Sequence, residues 1–218
     1  MSGFFNLENG FFTTLSKLTD IIILSVIWFF ICIPIITIGP ATTALYYTTV
    51  KAIRRERGYL FREFFKSFKQ NFKRGAISGV IMTIIALFLG FDILWAWMNT
   101  SAIENGSILL GIFIALSVMF ICFSIYVFPI LSRFEMTIKQ LFKAALFMSV
   151  RHLPSTVVMF AIIAICAIGI FFMPILIFII PAGATLIISL LMERIFKKYM
   201  PESQGAGEET GIDEWYLE

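Results

Sequence analysis

His152 is the single histidine of the chain, and a side chain that titrates near neutrality is the first place to look for acid–base chemistry. It lies between Arg151 and Leu153–Pro154, where the partners required for a catalytic triad, a zinc site or an HExxH pair are missing. It reads as a polar residue at the end of an apolar segment. Cys32, Cys122 and Cys166 fall in three different apolar stretches, at no metal-ligand or redox spacing, and read as small packing residues. No Walker lysine motif, GxGxxG or GxSxG occurs. The expectation is a protein without catalytic, cofactor or metal site, not an enzyme; an intramembrane enzyme would need a nucleophile–base pair that the sequence does not offer.

Two features remain as candidates for a polar intramembrane site. Asp92 is a carboxylate inside an apolar stretch, a position that defaults to a functional suspect, although Trp95 and Trp97 follow closely and an outer-interface residue would look the same. The run from Pro34 to Tyr47 carries Pro34, Thr37, Gly39 and Pro40. Proline and glycine break the helix ladder there, and broken helices in membranes either line sites or act as plain kinks.

The elements that must position these residues are apolar and long. Hydrophobic residues make up 59% of the 218-residue chain and charged ones only 14%, against about 25% charged in a soluble domain. Lipid must therefore cover part of the surface. A crossing helix takes roughly 20 apolar residues. The stretches 21–38, 77–98 and 108–131 each suit one crossing, whereas 157–192 would run about 54 Å as one helix. Pro174 divides it into 157–172 and 175–192. The fold class expected is an all-α membrane protein with five transmembrane helices, residues 1–198 forming the membrane domain.

Charge sets the orientation. Residues 51–74 carry Lys51, Arg54, Arg55, Arg57, Arg62, Lys66, Lys69, Lys73 and Arg74 against Glu56 and Glu63. Residues 132–153 carry Arg133, Lys139, Lys143 and Arg151, and Arg194, Lys197 and Lys198 follow the last apolar run. Basic loops stay in the cytoplasm. Five crossings then put the N-terminus outside and the C-terminus inside. The alternative is a re-entrant hairpin across residues 34–53, with the N-terminus inside. Glu193 and Arg194 read as an interface pair at the inner end of the last crossing.

Two cytosolic interfacial amphipathic helices are expected. In Tyr59–Arg74, Phe61, Phe64, Phe65, Phe68 and Phe72 follow helical spacing, with Arg62, Lys66, Lys69 and Lys73 on the other side. Such a helix lies in the membrane plane, rings in the acyl boundary and cations near anionic headgroups. It is either a structural connector or a docking surface for a partner; the bilayer already accounts for the cations, so nucleic acid is not expected. Ile138–Val150 is the second, with Ile138, Leu141, Phe142, Ala145 and Met148 on one face. Its Lys139–Lys143 aligns with Arg62–Lys66, a slight sign of duplication. Small pairs four apart, Gly75/Gly79, Ala86/Gly90 and Gly111/Ala115, suit close helix packing within the chain or in a homo-oligomer. Residues 199–218, acidic with interspersed glycines, read as a disordered cytosolic tail.

The run from Pro34 to Tyr47, together with Gly58–Phe72, resembles the YesL-like family of bacterial integral membrane proteins, specifically over roughly residues 4–75. The family is a domain of unknown function. The resemblance implies a bacterial cytoplasmic-membrane protein encoded near binding-protein-dependent sugar uptake systems and carbohydrate-responsive sensor kinases. The function expected from it is an accessory role in oligosaccharide uptake or sensing, beside a sugar ABC permease or sensor kinase. The alternative is a transport permease subunit in its own right.

Overall fold

The computed structural model describes residues 10–102 and 105–199, and among these every regular element is helical. In chain order they are α1 (Gly10–Ile31), α2 (Ile38–Thr48), α3 (Leu60–Gln70), α4 (Phe72–Met98), α5 (Gly106–Arg133), α6 (Ile138–Arg151), α7 (Leu153–Phe172) and α8 (Ile180–Phe196). A 3₁₀ turn, Ile35–Thr37, precedes α2; a π-helical turn, Thr49–Arg54, extends it; a second 3₁₀ segment, Pro174–Phe178, leads into α8. Four helical segments are long and apolar enough to cross a membrane: Thr14–Ile31, Phe72–Met98, Gly106–Arg133 and Leu153–Phe172. They define a multi-pass membrane protein. At 17 residues, α8 is shorter. The acidic tail expected from residue 199 lies outside the described residues beyond Tyr199.

The first apolar run departs from the expected single crossing over 21–38. α1 stops at Ile31, ahead of Pro34, whose ring has no N–H to continue the ladder. The Thr37 hydroxyl is within hydrogen-bonding reach of the Ile31 and Pro34 carbonyls, and its one proton serves the Ile31 acceptor that the break releases while the Thr37 N–H donates to Pro34 at 3.0 Å. The chain then returns as α2 and its π turn. Pro40 sits in the first turn of α2, where a missing N–H is tolerated. The return arm runs antiparallel to α1: the Trp28 indole donates to Thr42 Oγ1 at 3.3 Å, and Lys17 pairs with Glu56 at 2.6 Å. The start of α1 and the basic segment after Arg54 therefore share one end of the bundle, opposite to the arrangement that a single crossing would give.

α2 is the hub. Gly39–Ala41 and every residue from Thr43 to Val50 are buried. Its one side, Tyr46, Tyr47 and Val50, enters a core with Tyr126, Ile130, Leu141, Met159, Met192 and Phe196. Its other side, Ala44 and Leu45, joins Leu24, Phe64 and Ala182. One short helix thus separates two hydrophobic clusters. The far ends of the long helices carry no such cover. Leu87, Phe88 and Phe91 of α4, Ile108 and Met119 of α5, and Ile165 and Phe171 of α7 all face outward, a surface suited to hydrocarbon rather than water.

The remaining breaks follow local chemistry. α7 ends at Phe172, before Pro174, so the long apolar run does divide there. Ser25 ties α1 to the start of α8: its hydroxyl donates to the Ile179 carbonyl at 3.2 Å and accepts from the Ala182 N–H at 3.1 Å. α6 starts on a capping box, in which the Thr137 N–H donates to Gln140 Oε1 at 3.0 Å. The expected helix 59–74 is instead two. α3 ends at Gln70, Asn71 turns the chain while its amide donates to the Ser67 carbonyl at 3.2 Å, and Phe72, Lys73 and Arg74 open α4.

Candidate functional site

A buried polar cluster is built where α2, α5 and α8 meet. Arg133, the last residue of α5, is buried with Glu193 of α8. Its Nη2 lies 2.6 Å from Glu193 Oε2 and its Nε donates to Oε1 at 3.1 Å, a two-point pairing of guanidinium and carboxylate. The Tyr46 hydroxyl of α2 donates to the same Oε1 at 2.8 Å. The expected Glu193–Arg194 pair is replaced by this one: adjacent helical residues point to different sides, and Arg194 is exposed.

More cations crowd this end. Arg54 Nη1 donates to the Ser189 carbonyl of α8 at 3.0 Å. Arg55 sits among the charges of Arg133, Glu193, Arg54 and Arg57; partial burial, then repulsion from Arg133, lower its pKa. Lys51 reaches Glu63 of α3 at 2.9 Å and the Tyr47 hydroxyl at 3.2 Å. Glu63 also fills the space beside Gly58, whose φ of +90° is the left-handed region that a residue without Cβ adopts freely. α3 is thereby fastened to the π turn by one ion pair.

The phenylalanines of α3 split between two environments. Phe64 is wholly buried and stacks with Phe68 at 6.3 Å, both packed in the cluster that holds Leu24 and Leu45. Phe61, Phe65 and Phe72 are exposed, on the surface that also carries Arg62, Lys66, Lys69 and Lys73. The spacing of the rings predicts helix, and the segment is helical on both sides of Asn71. That spacing could not tell that a protein neighbour, α2, takes Phe64 and Phe68. On α6, Leu141, Ala145 and Met148 are buried while Phe147 and Val150 are exposed.

His152 caps the gap between α6 and α7. Its Nε2 lies 3.0 Å from the Tyr199 hydroxyl, and Tyr199 also meets the Phe147 ring edge-on at 6.5 Å. Desolvation, with the Lys198 and Arg151 charges, lowers the His152 pKa. Nearby, Tyr126 and Thr156 share a 2.8 Å hydrogen bond that links α5 to α7.

The suspected polar intramembrane residues are not brought together. Gly39 and Pro40 lie against the backbone of α4 at Gly75 and Gly79. Asp92 lies about 20 Å further along the same helix, half-buried, and among the described residues it makes no ion pair. Pro34 and Thr37 form the turn into α2. Among the described residues, no group of three His, Cys, Asp or Glu side chains is placed to hold a metal ion.

A helical bundle with outward apolar helices, a buried ion pair and a basic end defines an integral membrane protein. Residues 21–93 match a family model described as a protein of unknown function, DUF624. The chain is also 25% identical over 191 residues to the uncharacterized protein YesL of Bacillus subtilis (strain 168), covering 87% of this chain and 89% of that protein. Both matches are to proteins of unknown function, so they give similarity over most of the chain and no activity. No solved structure matches it.

Proposed function

We propose that this is a non-enzymatic accessory membrane protein that docks a membrane partner through its basic end. The observation that carries the reading is the outer surface of α3 and the first turn of α4, where Phe61, Phe65 and Phe72 stand exposed among Arg62, Lys66, Lys69 and Lys73. Rings beside cations suit the acyl–headgroup boundary and a partner's flank at the same level. The partner class, a sugar ABC permease or a sensor kinase, follows from the family resemblance. Carbohydrate uptake or sensing is the process in which such a partner would act.

In this reading the basic segments lie in the cytosol of a bacterial cell, with α3 and α6 as amphipathic helices at the inner leaflet. α4, α5, α7 and the segment from Pro174 through α8 cross. α1 and α2 form a re-entrant hairpin, because Gly39 meets α4 near its basic end, at Gly75 and Gly79. Reporters ahead of residue 10, after Arg74 and after Tyr199 are expected in the cytosol, with one at Asn99–Ser101 outside. An N-terminal reporter on the external side would reject the hairpin.

The partner is tested by crosslinking in native membranes. The triple variant Phe61→Ser, Phe65→Ser and Phe72→Ser keeps the buried Phe64 and Phe68 and should fold. It is expected to recover a sugar permease or sensor kinase at least about tenfold less than the wild type, the ratio that ~1.4 kcal/mol represents. Equal recovery, or no such partner together with normal sugar uptake after deletion, would overturn the proposal.

A further inference from the structure

His152 has no catalytic partners, but three elements converge on it. α6 ends at Arg151 and α7 begins at Leu153. The chain leaving α8 reaches the same join: Tyr199 meets the imidazole edge-on at 5.9 Å, and its hydroxyl lies 3.0 Å from Nε2. Lys198 arrives with it. Arg151 and Lys198 are both exposed, and both charges act on the half-buried imidazole. The Arg151 guanidinium lies over the Phe147 ring at 5.5 Å, and that ring touches Tyr199 in turn. α7 contributes no charged side chain. Among the described residues, neither Arg151 nor Lys198 makes an ion pair, and His152 Nδ1 has no hydrogen-bond partner.

The join displays donors rather than acceptors. A helix end ordinarily presents its last carbonyls, a negative pole. At the end of α6 these are taken. The His152 N–H donates to the Met148 carbonyl at 3.1 Å, the Thr156 N–H to the His152 carbonyl at 3.0 Å, and the Thr156 hydroxyl reaches the Ser149 carbonyl at 3.0 Å. Guanidinium, ammonium, imidazole and phenol remain. Beside them the surface turns apolar: Leu153 and Val157 stand exposed at the start of α7, one of the helices long and apolar enough to cross a membrane. Cations at the rim of an apolar wall fit a molecule that is anionic at one end and hydrocarbon at the other. A dissolved anion would use only the first half of this surface, and an acidic peptide would leave the second uncovered.

We infer that Arg151, His152, Lys198 and Tyr199 form a headgroup site for an anionic phospholipid, with its phosphodiester between the two cations and its acyl chains along Leu153 and Val157. The guanidinium can hold two phosphate oxygens, and the lysine supplies a point charge. Phosphatidylglycerol suits the site. Phosphatidylcholine brings its own cation, which Arg151 and Lys198 repel. A lipid seated there fastens the end of α8 to the α6–α7 join. No partner protein is involved and either leaflet would serve, so failure here and failure of the α3 docking reading are separate results.

The single histidine of the chain is the reporter. The full chain, on a histidine-free tag and with ring-nitrogen-labelled histidine, is placed in nanodiscs of phosphatidylcholine, alone or mixed with phosphatidylglycerol. Its one imidazole signal is then titrated by NMR. In phosphatidylcholine, burial and the Lys198 and Arg151 charges hold the His152 pKa below its ordinary value. Phosphatidylglycerol is expected to raise it by about one pH unit or more, because a phosphate in contact favours the imidazolium. Any anionic bilayer gathers protons, so two variants of equal charge separate the site from the surface. Arg151→Gln with Lys198→Gln should lose most of the lipid-induced rise. Lys139→Gln with Lys143→Gln, exposed and about 12 Å or more back along α6 from Arg151, should keep it. Equal rises in the two variants, or no rise in the wild type, would overturn the site. So would a His152 pKa already above its ordinary value in phosphatidylcholine, which means that an acid is seated there beforehand. The same rise from free glycerol phosphate added to phosphatidylcholine discs would make the ligand a dissolved phosphate and overturn the assignment to lipid.

Discussion

Glu193→Ala should remove about 3–5 kcal/mol from the stability of the bundle, the range for stripping one partner from a buried ion pair. The size follows from what is left behind. The Arg133 side chain is 1% exposed and that of Glu193 7%, so a guanidinium that loses this carboxylate has little water to replace it. Tyr46 loses its acceptor as well. At ~2–4 °C per kcal/mol for a chain of this size, thermal unfolding in mild detergent should move down by roughly 10 °C. Arg133→Met should destabilise for the reciprocal reason, leaving a buried carboxylate that has lost its guanidinium and keeps the Tyr46 hydroxyl as a donor. The double variant Arg133→Met, Glu193→Leu should recover most of the loss, because a packed apolar pair replaces a charge pair at little net cost. If the double variant is as unstable as the two single losses added together, the pair is not the unit described here. Arg194→Ala, on an exposed neighbour, should leave the midpoint unchanged.

This pair was hidden in the sequence for a definite reason. Arg133 and Glu193 are 60 positions apart, each at the end of an apolar run, and basic residues at such ends are already accounted for by the loop-charge rule. Glu193 beside Arg194 offered a local partner that helical geometry rules out. What was legible was whatever is written in neighbours: the apolar lengths, the proline breaks at Pro34 and Pro174, and the helical period of the phenylalanines. What was not legible was the identity of the solvent on each face. An aromatic stripe reads the same whether lipid or α2 covers it, and the structure gives Phe64 to α2 while leaving Phe65 outside. The hairpin of α1 and α2 was open between two readings because Ala41–Ile53 is too short to span. Burial of Thr43–Val50 between two clusters explains how so modest a stretch can sit at the centre. The tyrosines and threonines that weaken its hydropathy are contacts with protein rather than with lipid.

Gly39→Ala should be the most damaging single-methyl change in the chain. A Cβ there would run into the Gly75 carbonyl oxygen and stand 3.0 Å from Gly79 Cα, all backbone with no rotamer to yield. The fit is mutual: a methyl on Gly75 would be 2.8 Å from Pro40 Cα, and one on Gly79 2.8 Å from Gly39 Cα. Relief requires sliding α2 against α4, which disturbs both clusters that α2 separates. Overpacking of this kind costs about 1–3 kcal/mol, occasionally more, and Gly39→Val should exceed Gly39→Ala. Gly90 and Gly111 supply the internal control. They repeat the small-residue spacing of Gly75 and Gly79, yet no atom lies within 4 Å of a methyl built on either. Gly90→Ala and Gly111→Ala should therefore be neutral, or stabilising by up to ~1 kcal/mol through helix propensity. The comparison is read as four unfolding midpoints in one detergent. Gly39→Ala must then separate from both control variants by several degrees, and a Gly39→Ala protein that melts with the wild type would mean that α2 does not cross α4 at this joint.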